Sequence, residues 1–257
     1  MLINIVIKED YRMAAFTANY NWSEWDRKSI ADMVYLVKSD IVNHTITVDR
    51  FHAIMSRHLK KWMPVRASKS RESMVAKTFA YVGGCYYTQY DKDRQKSIEI
   101  SFAYNPTDHT LCLTKQRFYR LCWRIADVVL HEIIHMQQAR SRRFKDIPGF
   151  SSTAQSTKLR EQQEYFGDPD EIDAYAFNMA CELNDKFGGD MTRIVDYLNQ
   201  DQQGRRRRVY DTWCSYLKAF KYDQNHRVVR KIKKRSIYYL TRNQLDRPFL
   251  PRDWINR

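Results

Sequence analysis

Apolar residues recur every three to four positions in two stretches near the start of the chain. Ile30, Met33, Val34, Val37 and Ile41 follow Ser23-Glu-Trp-Asp, and Val48 to Trp62 (VDRFHAIMSRHLKKW) repeats the pattern until Pro64. That spacing lays one apolar stripe along each of two helices, after a short N-terminal strand at Met1 to Ile7. The pattern then changes character. Phe79–Tyr90, Ser97–Tyr104 and His109–Thr114 are aromatic and β-branched, and are parted by the turn-forming segments Asp91–Asp93 and Asn105-Pro-Thr-Asp108. They predict a small antiparallel or mixed sheet, with Gly83-Gly84 marking a bulge or tight bend.

A long helix is expected from about Gln116 to Arg140, where Leu121, Ile125, Val128, Val129, Ile133 and Ile134 recur with no Gly or Pro between them. Phe144–Phe166 contains Pro148, Gly149 and a Ser/Thr/Gln-rich run, and reads as a loop or lid. Asp168-Pro-Asp-Glu supplies an N-cap and a proline at the first helical position, so a second helix opens there and closes at Gly188-Gly189. Shorter helices are expected near Met191–Leu198 and Arg207–Tyr222. The fold class is therefore α+β, with extra helices at both ends. Three regions follow from the shifts in pattern: residues 1–75, 76–200 and 201–257.

Within the long apolar helix, residues 131–135 read His-Glu-Ile-Ile-His. A spacing of four places His131 and His135 one turn apart on one face, where they can share a tetrahedral metal, and Glu132 projects beside the open coordination position. With 7 His and 9 Glu in 257 residues, chance yields this motif in well under about one shuffled sequence in a hundred. The chemistry predicted is a zinc-water site (Zn2+) in which Glu132 acts as general base.

VVLHEIIHMQ resembles the signature helix of the zincin metallopeptidases. DPDEIDAYAFNMACEL is similar to the Glu-x-x-Ala-Tyr helix of gluzincin-type members, including small peptidase-like proteins of bacteria and tailed phages. The likeness spans about residues 97–187. It implies a zincin-like catalytic domain, a third metal ligand at Glu171, and Ala174 and Ala180 as small residues at the contact between the two helices. The chain departs from the pattern at Gln137, where the zincin helix is usually apolar, and Ser141 stands where a metzincin has its third histidine. Glu171 also reads as an ordinary first-turn carboxylate, and Glu164 is a weaker substitute. Asp168 and Asp170 read as capping residues, and Asp173 as the acceptor for the second ring N–H of a ligand histidine. Tyr165 and Tyr175 lie near the ligands in sequence, but no oxyanion donor is assigned. Ser97–Tyr104 is the candidate edge for adding an extended peptide as a further strand, or else an ordinary half-buried strand.

Charge adds a second theme. The chain carries a formal +14; Gln203–Arg257 holds 16 Lys and Arg against 4 Asp, leaving the first 202 residues nearly balanced. Arg205, Arg206, Arg207 and Arg208, with Arg230, Lys231, Lys233, Lys234 and Arg235, form a basic segment interleaved with aromatics. It is a candidate surface for nucleic acid or an acidic protein. Five scattered cysteines without a Cys-x-x-Cys pair argue against a disulfide framework. With no long apolar run and no basic start to Met1–Ile7, neither export nor membrane contact is expected, and the resemblance to bacterial and phage proteins implies a cytoplasmic or virion-associated setting. The leading expectation is a zinc-dependent endopeptidase acting on protein or peptide substrates. The alternative is a metal-containing nucleic-acid-binding or virion-assembly protein without peptidase activity.

Overall fold

A computed structural model describes residues 26–63, 65–73, 75, 80–93, 95–145, 158–200, 212–242 and 245. The Met1–Ile7 strand and the Arg205–Arg208 run lie outside the described residues. In chain order come α1 (Arg27–Tyr35), α2 (Lys38–Ile41), β1 (Thr45–Thr47), α3 (Val48–Trp62), β2 (Val65–Arg71), β3 (Ala80–Tyr86), α4 (Thr88–Lys92), β4 (Ile98–Tyr104) and β5 (Thr110–Cys112). The helical half follows: α5 (Lys115–Ser141), α6 (Leu159–Gly167), α7 (Pro169–Phe187), α8 (Met191–Asn199), α9 (Thr212–Ala219) and α10 (Arg227–Thr241). The architecture is α+β, dominated by helix.

Local chemistry explains the boundaries. The Thr47 and Thr114 hydroxyls accept the N–H groups of Arg50 and Arg117, which starts α3 and α5 where their apolar stripes begin. Asp168 accepts from the N–H groups of both Asp170 and Glu171, and Gly188 closes α7 in the left-handed conformation at φ 62°. The stretch predicted as a loop before α7 is helical from Leu159 onward. There Arg160 pairs with Glu164 on the solvent side, while Phe166 is buried. Glu164 thus serves an exposed ion pair and stands apart from the histidines.

The strands form two sheets. β1 pairs with β5 antiparallel. β2, β4 and β3 lie side by side in that order, with β2–β4 parallel and β3–β4 antiparallel. The strand β2 was not legible in the pattern, because Arg66, Lys69 and Arg71 interrupt its apolar residues. Placing β4 at the centre overturns its expected role as the substrate edge, since both of its edges are already paired. Among the described residues, β3 is the edge strand next to α5. Gly83 and Gly84 continue the regular register opposite Ser101 and Ile100, so no bulge exists there.

One apolar core joins these layers. Phe51 of α3 meets Phe102 and Tyr104 of β4 edge-on, and α5 buries Phe118, Leu121, Ile125, Val129 and Ile133. Arg27 ties α1 to α5 and α7 by reaching Asp127 at 2.6 Å and Asp185 at 2.8 Å. α10 packs Val228, Val229, Ile232 and Tyr239 inward, with the Tyr239 ring edge-on to Phe177 of α7 at 5.5 Å. Residues of all three sequence-defined regions contribute to this core.

Candidate metal centre

The site forms where α5, α7 and the β3 edge meet. On α5, residues 131 and 135 share a face turned toward α7, so the imidazoles stand one above the other with ring centroids 4.8 Å apart. Their Nε2 atoms converge to 3.1 Å. From the first turn of α7, Glu171 brings Oε2 to 3.6 Å from His131 Nε2 and Oε1 to 3.6 Å from His135 Nε2. One donor atom from each of the three residues lies within 4.8 Å of the others.

These distances can be tested against a bound cation. A tetrahedral ion with bonds of about 2.0–2.1 Å sets its ligand atoms roughly 3.3–3.4 Å apart, and the 3.1 Å between the two nitrogens and the 3.6 Å from each nitrogen to its nearer Glu171 oxygen lie on either side of that figure. Glu171 Oε2 is buried without a hydrogen-bond partner, and a buried unpaired carboxylate oxygen is costly unless a charge answers it. His135 Nδ1 faces Gln138 Oε1 at 2.9 Å. That oxygen can only accept, so the proton sits on Nδ1 and the Nε2 lone pair is left for a metal. The donor set of two imidazoles and a carboxylate, with Nε2 as the binding atom, fits a divalent cation.

The rear of the site differs from the expectation. Asp173 faces away from the histidines and forms a buried ion pair with Arg235 of α10. The correction has a simple origin. Asp173 lies two residues beyond Glu171, about 200° around the helix, so a side chain there cannot share Glu171's direction. The groups behind the imidazoles are instead Gln138 and Asn178. Asn178 lies 3.1 Å from His131 Nδ1, and its own Oδ1 is buried without a partner. With the amide turned over, that oxygen accepts the Nδ1–H of a ligated imidazole. Gln138 also donates to Asp170 O at 3.1 Å, and Arg142 clasps the Asp170 carboxylate at 2.9 and 2.6 Å, so the end of α5 is fastened to the start of α7. Replacing Asn178 or Gln138 by Ala should weaken divalent-cation affinity about 10- to 100-fold. Competition with a chromophoric chelator measures this, and unchanged affinity in both variants would remove their supporting role.

Glu132 points instead toward β3. It is 6% exposed, and the Tyr86 N–H, on the free side of the edge strand, donates to its carboxylate. Burial pushes its pKa up, against the pull of His131 and His135. The strand comes this close only because residue 84 is glycine. A Cβ there would lie 2.6 Å from Val128 Cγ1 and 2.7 Å from Glu132 Oε1. Burial opposes charge on both His135 and Glu171. Their mutual attraction prevails, raising the His135 ring and holding Glu171 well below the usual carboxylate range.

Tyr175 packs its ring against His131 with centroids 4.7 Å apart, and its hydroxyl meets that of Tyr165 at 3.4 Å. Both phenols lie beside Glu171, and burial drives their pKa values upward.

The basic segment divides. Arg235, expected at a nucleic-acid surface, is instead the inward partner of Asp173. Lys233 is half-buried and donates to Asn199 Oδ1 at 2.5 Å. Arg230 and Lys234 are exposed and Lys231 is half-buried. A helix that must bury Val228, Val229, Ile232 and Tyr239 against α7 cannot present every cation outward. Among the described residues, no helix is long and apolar enough to cross a membrane.

Comparison with protein-family models, curated proteins and solved structures finds no match for this chain.

Proposed function

We propose that the chain is a zinc-dependent endopeptidase with a zincin-like catalytic unit built from α5, α7 and the β2–β4–β3 sheet. The observation that carries this reading is the convergence of His131 Nε2, His135 Nε2 and Glu171 within 3.1–3.6 Å, with the buried Glu132 beside them rather than among them. Two imidazoles and one carboxylate leave a tetrahedral cation one position for solvent, which is the donor count of a catalytic rather than a structural site. His131, His135 and Glu171 would hold Zn2+, with Gln138 and Asn178 fixing the imidazoles from behind. The ion supplies Lewis acidity, lowering the pKa of water and polarising a substrate carbonyl.

The chain's own residues supply the rest. Glu132 accepts a proton at a carboxylate oxygen as water attacks the peptide carbonyl, and passes it to the departing amine nitrogen as the C–N bond breaks. Its burial suits both halves of that task, because a carboxylate whose pKa is raised is a stronger base and later a competent acid. The Tyr86 N–H fixes the carboxylate on the side of the free β3 edge.

Incubating the purified chain with one equivalent of zinc and an unfolded protein substrate tests the reading. The expected result is endoproteolysis that is lost on chelation and restored by zinc. A zinc-loaded, folded chain that leaves a broad panel of unfolded proteins and peptides intact would contradict it.

A further inference from the structure

The stripe of α5 that carries the histidines extends two turns toward its N-terminus. Steps of four, three and four link residues 124, 128, 131 and 135 along a single face. His131 and His135 meet Glu171, and Val128 lies under Gly84. Arg124 has no comparable engagement. Among the described residues its guanidinium makes no hydrogen bond and no ion pair, and Tyr81, Glu182, Asp127 and Tyr175 are its electrostatic neighbours. The residue is half-buried, and its nitrogens are not sealed from solvent.

The acidic neighbours are committed elsewhere. Asp127 binds Arg27 through both oxygens at 2.6 and 3.3 Å. Glu182 accepts the Thr212 N–H at 2.8 Å and the Thr212 hydroxyl at 3.0 Å. Their more distant fields keep Arg124 charged against the cost of burial, yet leave its fork of five N–H donors without a partner among the described residues. A half-buried guanidinium of this kind is matched by a carboxylate, which accepts two parallel N–H bonds and answers the charge.

We propose that Arg124 is a carboxylate anchor on the face of α5 that carries the histidines, holding either the C-terminal carboxylate of a peptide or an acidic side chain while the neighbouring backbone lies along α5 toward His131. Seven residues of helix separate the two positions, about 10 Å along the axis. The β3 edge runs the same distance from Tyr81 to Gly84, three residues at about 3.3 Å each. An extended peptide would therefore place the anchored carboxylate about three residues from the bond that is cut. That last step rests on the peptidase reading; the anchor itself does not.

Calorimetry on the non-cleaving Glu132→Gln chain, both zinc-loaded and metal-free, tests the proposal with three pentapeptides. These are Ala-Ala-Phe-Ala-Ala with a free C-terminus, the same peptide as its amide, and the amide with Asp as the last residue. At least one carboxylate peptide should bind about 10- to 100-fold tighter than the plain amide, and which one does identifies the source of the carboxylate. Adding Arg124→Gln should abolish the preference. Arg124→Lys, which keeps the charge and loses the fork, should retain only a small part of it, with both variants melting near the parent temperature. Equal binding of all three peptides by the parent, or a preference that survives in Arg124→Gln, overturns the anchor. An Arg124-dependent preference in a chain that neither binds zinc nor cleaves would uphold the anchor and remove the peptidase.

Discussion

Substituting Gln for Glu132 should lower the rate of peptide cleavage by about 10³-fold, within the range for loss of a general acid–base group, while zinc stoichiometry stays at one per chain. The two side chains have nearly the same shape, so the close packing against Gly84 and Val128 is preserved. A Gln carbonyl can still accept the Tyr86 N–H. What is lost is basicity: an amide cannot take the proton of the attacking water. The predicted signature is a fall in kcat with little change in KM, because the residue acts in the transition state and not in ground-state binding. Full activity in the variant would show that another group moves the proton. Loss of zinc together with activity would show that Glu132 is a ligand.

The largest expected effect on stability lies outside the metal centre. Asp173→Ala should destabilise the fold by about 3–5 kcal/mol, the usual cost of removing one partner from a buried ion pair. The side chains of Arg235 and Asp173 are only 11% and 9% exposed, so solvent cannot replace the lost carboxylate around the guanidinium. α10 docks on α7 through this pair and the Phe177–Tyr239 contact, and Glu171 stands in the first turn of α7. The variant should therefore bind zinc more weakly as well. Replacing both partners by apolar residues, Asp173→Leu with Arg235→Met, should recover most of the stability, because no charge is then left stranded. Urea unfolding measures all three chains. A loss below about 1 kcal/mol in the single variant, the scale of an exposed pair, would mean that α10 does not seal against α7.

The parts of this molecule legible in the sequence share one property: neighbours in the chain determine them. The bounds of α3, α5 and α7 follow from an apolar stripe plus a capping side chain, at Thr47, Thr114 and Asp168. His131, Glu132 and His135 are fixed by helical spacing alone. Glu171 came from resemblance, and the fold brings it opposite the two histidines through the Gln138–Asp170 and Arg142–Asp170 contacts between α5 and α7.

What escaped the sequence depends on partners far away in the chain. The order β2–β4–β3 places β4 at the centre through parallel pairing with a strand whose basic residues mask its pattern. The direction of Asp173 is set by Arg235, 62 residues later. Asn178 was visible in one respect, because it lies seven residues after Glu171 on the same face of α7. Gln138 likewise follows His135 by three, a spacing that could have marked it as the partner of that imidazole. Gly84 explains itself only once Glu132 is seen beneath it.

X-ray absorption at the zinc edge, on the chain loaded with one equivalent of zinc, tests the central claim most directly. The account predicts a single four-coordinate environment with two imidazole nitrogens at about 2.0–2.1 Å and two oxygens. One oxygen is lost on Glu171→Ala and one imidazole on His131→Ala. A shell of sulfur ligands, or a spectrum unchanged by both substitutions, would place the ion elsewhere and contradict the assignment of this site.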